Sequence, residues 1–273
     1  MAGGITLCGS LSLHASPLGV AMHEAGYRAL ALDWRYVPFE VASNELGSAL
    51  QSMRTLRIRG FGISMPFKQQ ILPLLDRIDP TARDIGAVNT VVNDAGALIG
   101  HNTDAVGAVR ALCEVVSLPE RRVLLLGAGG AARAVGFGLV RAGASVRVSN
   151  RTDAKAGALA ESLGVDAVPW AERAEASSEV DVVVNATSAG MVEIDPAPPL
   201  PPAAFRADLV VMDIVYKPLR TALLEAAQRT SKDCTTVHGG RMLLHQAARQ
   251  FELYTSRPAP LEAMDEALTR FVV

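Results

Sequence analysis

Val123-Leu124-Leu125-Leu126-Gly127-Ala128-Gly129-Gly130-Ala131-Ala132 is the stretch whose reading decides the fold. Four apolar residues run into a glycine turn, and the turn runs into an alanine-rich helical pattern. That order spells strand, tight turn, helix. Gly127, Gly129 and Ala132 fit the dinucleotide motif in its Gly-x-Gly-x-x-Ala form. The first glycine permits the sharp turn, and the second lets backbone approach a pyrophosphate. The alanine lets the helix pack closely on its strand. The turn Gly127 to Ala131, with Ala128 and Gly130, then presents a helix N-terminus, where free N–H groups and the positive dipole end favour phosphate.

The next strand bears on the choice of dinucleotide. Gly143 to Ser149 reads as turn and strand, and Asn150-Arg151-Thr152 follow. An NAD site usually carries Asp or Glu there for the ribose 2′-hydroxyl. Here Arg151 stands at the strand end, with Lys155 one turn further. A guanidinium pairs well with phosphate oxygens, so the 2′-phosphate of NADP is the natural partner. Asp153 is the nearest acid and keeps NAD open.

The chain has 273 residues, of which 49% are hydrophobic, enough for one large or two ordinary domains. A net charge of −2 gives no electrostatic case for nucleic acid or an anionic membrane. Three widely spaced cysteines point to reduced thiols and a cytoplasmic setting, and none pair at metal-type spacing, so no metal is expected. Met1-Ala2-Gly3-Gly4 lacks a basic leader, and no apolar run approaches the ~20 residues of a spanning helix.

Upstream, Ile5 to Cys8 reads as a strand ending at Gly9, followed by a polar loop from Ser10 to Ser16. Ser16 is expected to cap a helix starting at Pro17. Leu30 to Val37 reads as a strand closed by Pro38, and Ser43 to Arg57 as a helix with Leu46, Leu50 and Met53 on one face. Ile58 to Ser64 reads as a strand, with helix resuming at Ile71, Leu74 and Leu75. Val88–Asn93 and Ala97–Gly100 form a hairpin around Asp94-Ala95-Gly96, and Asn102-Thr103-Asp104 opens a helix through Cys113. Strands are expected at Asp166–Val168, Val180–Asn185 and Leu209–Ile214, with helices over Thr221–Arg229, from Gly239-Gly240 to Tyr254, and from Pro260. Alternating strands and helices predict an α/β chain of two domains. The first is a mainly parallel α/β domain over 1–104, completed by helices returning over 238–273. The second is a Rossmann dinucleotide-binding domain over 105–237.

Six segments occur in order besides the glycine turn: Ser64-Met65-Pro66-Phe67-Lys68, Val88-Asn89-Thr90, Asn102-Thr103-Asp104, Asn185-Ala186-Thr187-Ser188, Tyr216-Lys217-Pro218, and Gly239 through Gln246. Together they resemble the shikimate dehydrogenase family, which also contains quinate/shikimate dehydrogenases. The resemblance spans nearly the whole chain. It implies NADP-linked reduction of 3-dehydroshikimate to shikimate in a cleft between domains, with Lys68 and Asp104 as a catalytic pair. The chemistry suits them, since hydride arriving at a ketone leaves charge on oxygen that an ammonium can stabilise and protonate. The resemblance further implies Asn89, Gln246, Tyr216 and Ser64 at the substrate. Thr187, Ser188, Gly190, Gly239 and Met242 would line the cofactor cleft, Met242 as an apolar wall.

One departure stands out. The family grips the substrate carboxylate with Ser-x-Ser-Pro, and this chain has His14-Ala15-Ser16-Pro17. An imidazole at His14 can donate to a carboxylate beside Ser16, best when protonated. Ser10-Leu11-Ser12 lies earlier and could serve through a shifted loop. Three functions therefore stay open: a biosynthetic shikimate dehydrogenase, a paralogue acting on quinate or an amino analogue of shikimate, and a dinucleotide-binding sensor. The partner is a small cyclic hydroxy acid, and the assembly a monomer or homodimer.

Overall fold

The computed structural model describes residues 4–14, 17–191 and 195–272. It divides into two compact units, Met1–Thr103 with Gln246–Val273, and Asp104–His245. The capping role expected of Ser16 falls outside the described residues.

The first unit opens with β1 (Thr6–Ser12), α1 (Pro17–Ala29), β2 (Trp34–Glu40), α2 (Leu46–Thr55) and β3 (Gly60–Ile63). It continues through α3 (Phe67–Gln70), β4 (Arg77–Ile78), α4 (Pro80–Ile85), β5 (Thr90–Asp94) and β6 (Ala97–His101). Its sheet order is β2-β1-β3-β5-β6-β4. β5 runs antiparallel to both neighbours, and the remaining pairs are parallel. Leu50, Met53, Phe61, Phe67, Val91 and Leu98 fill its core.

Several boundaries differ from the reading above. β1 does not end at Gly9 but runs to Ser12, because Ser10 and Leu11 pair with Pro38 and Phe39 on one side and Gly62 and Ile63 on the other. Local polarity suggested a loop where two flanking strands impose extension. Pro38 lies inside β2 rather than closing it; β2 is an edge strand, where a missing N–H is tolerated. The expected helix from Ser43 begins as a 3-10 turn, Ser43–Glu45, before α2. Leu72–Leu74 makes only a 3-10 turn, since Pro73 breaks the helix expected there. Asp79 Oδ1 accepts the Thr81 N–H at 3.0 Å and caps α4, which has Pro80 at its first position. Ala95 and Gly96 turn the β5–β6 hairpin at φ 51° and 100°.

The second unit carries α5 (Asp104–Cys113), β7 (Arg122–Leu126), α6 (Gly130–Arg141), β8 (Ser145–Ser149), α7 (Asp153–Leu163) and β9 (Asp166–Val168). α8 (Arg173–Ser178), β10 (Val182–Asn185), β11 (Val210–Asp213), α9 (Ala222–Thr230) and β12 (Thr235–Val237) follow, and then α10 (Gly239–Thr255) begins. The sheet is wholly parallel in the order β12-β11-β10-β7-β8-β9. This is the doubly wound dinucleotide-binding arrangement, with its reversal between β7 and β10. Val123 to Leu126 and Val182 to Val184 are wholly buried, as central parallel strands covered on both faces must be.

Arg241 and His245 on α10 both donate to Glu114 just after α5, at 2.5 and 2.7 Å, which fixes the start of α10 within this unit. From Gln246 onward the chain belongs to the first unit. There α11 (Leu261–Val272) packs on α1, with Gly26 close to Phe251 and Met264.

Candidate functional site

In open α/β sheets, ligands bind beyond the carboxyl ends of the strands where strand order reverses. Gly127 leaves β7 at that point with φ 115°. A β-carbon on Gly127 would lie 2.7 Å from the Ala186 carbonyl oxygen just after β10, so only glycine fits. Gly129 caps α6 in extended conformation with no side-chain hydrogen bond, and Gly130 is the first helical residue. A β-carbon on either would meet nothing within 4 Å, so the helix N-terminus faces open space. Ala128 and Ala131 are half-buried beside them, and Ala132 is wholly buried in the core shared with β7. These features suit a pyrophosphate.

Beyond β8, Asn150 Nδ2 donates to the Thr152 carbonyl at 3.0 Å and shapes the turn. Arg151, Thr152 and Lys155 are exposed along the first turn of α7. Asp153 is otherwise engaged, because its Oδ1 accepts the Trp170 N–H at 3.1 Å. The strand end therefore offers two cations, and its nearest acid serves another turn. That donor set fits a 2′-phosphate.

The loop after β10 is wired from below. Asn185 Oδ1 accepts from the Thr187 N–H and hydroxyl at 3.1 and 2.7 Å, and Thr187 Oγ1 accepts the Ala189 N–H at 3.0 Å. Asn185 Nδ2 donates to the Ala189 carbonyl and to Asp213 Oδ1. Asp213 also accepts from the Val215 N–H and the Thr221 hydroxyl. Burial pushes the Asp213 carboxyl up to about 6, and those three donors pull against it. Asp213 and Thr221 escaped sequence reasoning; the signal present was a carboxylate ending the apolar run Val210-Val211-Met212. Ser188 in this loop is exposed.

Gly239 starts α10 against the exit of β11: a β-carbon there would lie 2.5 Å from the Val215 carbonyl oxygen. Met242 is buried in the apolar core that includes Val237, and Ile214 packs against that core. Tyr216 is 36% exposed.

In the first unit, three motif segments meet. The Val88 N–H donates to the Lys68 carbonyl at 2.8 Å. Asn102 Nδ2 donates to the Ala87 carbonyl at 3.0 Å, and the Thr103 N–H donates to Asn89 Oδ1 at 2.8 Å. Residues 64–68, 87–90 and 102–103 are thus one knitted patch. Lys68 on α3 is half-buried, Ser64 is exposed, and Asn89 is 2% exposed. Asp104, the first residue of α5, is 2% exposed, unlike an ordinary surface N-terminal acid. His14 is exposed, and its carbonyl accepts the Ser12 hydroxyl at 2.8 Å. Gln246 is half-buried. Gln250, one turn on, was not foreseen and is buried against Asn89 and Thr90.

Fold and site define a dinucleotide-dependent oxidoreductase built from two α/β units. Residues 12–91 match the family model described as shikimate dehydrogenase substrate binding domain, 110–198 that described as shikimate / quinate 5-dehydrogenase, and 239–269 that described as shikimate 5′-dehydrogenase C-terminal domain. The chain belongs to the shikimate dehydrogenase family. It is 43% identical to the shikimate dehydrogenase (NADP(+)) of Haloarcula marismortui, over 92% of this chain and 93% of that one. It is similar to the crystal structure of shikimate 5-dehydrogenase from Thermus thermophilus in complex with NADP(H) and shikimate. There the TM-score is 0.88 and the identity 37%, covering 97% of this chain and 99% of that one. It is similar also to quinate dehydrogenase from Corynebacterium glutamicum in complex with NAD, with TM-score 0.88 and 32% identity over 98% of this chain and 100% of that one. No helix among the described residues is long and apolar enough to cross a membrane.

Proposed function

We propose that this chain is an NADP-linked oxidoreductase that reversibly reduces 3-dehydroshikimate to shikimate, in aromatic amino acid biosynthesis. The observation that carries this reading is the knitted patch of residues 64–68, 87–90 and 102–103, which holds Lys68 and Asn89 on one rigid support. Substrate binding is assigned chiefly to the first unit, and cofactor binding chiefly to the second.

NADPH, when bound, supplies hydride. Gly127 to Ala131 would hold its pyrophosphate, Asn150, Arg151, Thr152 and Lys155 its 2′-phosphate, and Thr187, Ser188, Gly239 and Met242 its nicotinamide half. Lys68 stabilises charge on the ketone oxygen and gives it a proton. Asp104 keeps that ammonium charged. Asn89 and Gln246 orient ring hydroxyls, Tyr216 and Ser64 stand at the substrate, and His14 with Ser16 takes the carboxylate end. The enzyme is cytoplasmic and works as a monomer or homodimer.

His14, standing where the family has serine, supports a second reading with quinate or an amino analogue as substrate. Adding 3-dehydroshikimate to the protein with NADPH tests the first reading. Loss of reduced-nicotinamide absorbance with matching formation of shikimate is expected; no consumption overturns it.

A further inference from the structure

A buried hydrogen-bond chain runs through the first unit from α1 to Asn89. His23 is wholly buried, its ring stacked on Tyr36 with centroids 4.2 Å apart and 2° between planes. Its Nε2 lies 3.4 Å from Gln250 Oε1. Gln250 Nε2 donates to Thr90 Oγ1 at 3.1 Å and to the Asn89 carbonyl at 3.3 Å. Thr90 Oγ1 in turn donates to Asn89 Oδ1 at 2.8 Å.

The directions of these bonds agree. Burial pushes the His23 imidazole down to about 4, so the ring is neutral and carries one proton. With that proton on Nε2, His23 donates to Gln250, Gln250 to Thr90 and Thr90 to Asn89. Bonds aligned this way polarise one another. The oxygen and nitrogen of an amide are told apart by their partners. Asn89 Oδ1 receives the Thr90 hydroxyl and the Thr103 N–H at 2.8 Å each, and Asn89 Nδ2 donates to Thr103 Oγ1 at 3.0 Å.

We infer that Thr90 and Gln250 are positioning residues that hold the Asn89 amide with its oxygen turned into the protein. Asn89 then meets a bound molecule in one fixed amide orientation. This rests on the reading of Asn89 as a substrate ligand. Neither Thr90 nor Gln250 touches substrate; both act through Asn89.

Steady-state kinetics with shikimate and NADP test it on Thr90→Val, Thr90→Ser, Gln250→Met, Asn89→Ala and the double variant Asn89→Ala/Thr90→Val. Thr90→Val keeps the shape and removes the hydroxyl. It is expected to raise the shikimate KM about 5–30-fold, the equivalent of one or two hydrogen bonds. The NADP KM stays at the parental value, and kcat changes less than KM. Thr90→Ser restores parental values, a rescue that a shape requirement alone would not give. Gln250→Met provides an independent variant with the same expected pattern. Within the Asn89→Ala background, Thr90→Val adds nothing, because coupled groups do not add. Should Asn89→Ala raise the KM while Thr90→Val and Gln250→Met do not, the inference is overturned and the ligand reading stands. A full Thr90→Val effect persisting without Asn89 also overturns it. A parental KM in Asn89→Ala removes the ligand reading itself, and the inference with it.

Discussion

Asp153 Oδ1 accepts the backbone N–H of Trp170 at 3.1 Å, tying the acid nearest the end of β8 to the turn after β9. The cations Arg151 and Lys155 are left exposed at the position where a dinucleotide's ribose would be read. Arg151→Ala is therefore expected to raise the NADP KM about 10–100-fold, the range of a hydrogen bond to a charged group. The NAD KM should hardly move. Equal effects on both cofactors would detach Arg151 from the 2′-phosphate.

Lys68 carries the proton in the proposed reaction. Lys68→Ala is expected to lower kcat by roughly 10²–10⁴-fold, the usual worth of general acid catalysis. Titration of the variant with NADPH, followed by nicotinamide fluorescence, should give the parental dissociation constant. A variant that keeps most of its rate removes Lys68 from the mechanism.

Ser12 closes β1 and donates its hydroxyl to the His14 carbonyl. An imidazole at His14 that meets the substrate carboxylate holds it most strongly when protonated. The shikimate KM should then rise with pH, and His14→Ser should flatten that rise. An identical pH profile in parent and variant places His14 outside the site. Ser12→Ala then becomes the informative change, and is expected to raise the KM if the strand's own hydroxyls take over.

His23 makes a prediction about stability. Buried among Tyr27, Tyr36, Tyr254, Phe251 and Gln250, it titrates at about 4 when folded, against an ordinary value of 6.5. Between those values the unfolded chain binds a proton that the folded chain refuses. The stability His23 contributes is whole above pH 6.5 and is lost as pH falls toward 4, by about 3 kcal/mol. Denaturant unfolding between pH 4 and 7, followed by Trp34 fluorescence in a Trp170→Phe background, should show that slope, and His23→Gln should remove it. Equal slopes would place the acid sensitivity elsewhere.

What could be read from the sequence was what local pattern determines. Val123 to Leu126 had to be a buried strand, and Gly127 had to turn, whatever the rest of the chain did. The face of α2, with Leu46, Leu50 and Met53, followed from helical spacing in the same way. Ser10 to Ser12 misled because two serines read as loop until neighbouring strands pair with them. Asp213 was hidden because its partners, Asn185 at the end of β10 and Thr221 capping α9, lie apart from it in the chain. Gln250 was further out of reach: it meets Asn89 across 161 residues of chain, and nothing local marks it apart from Gln246.

Turnover itself is the most direct measurement: initial rates of nicotinamide reduction with shikimate, quinate and the amino analogue of shikimate, each with NADP and with NAD. The highest kcat/KM is expected for shikimate with NADP. A higher value for quinate, for the amino analogue or for NAD, or no turnover of shikimate at all, would contradict the proposed activity.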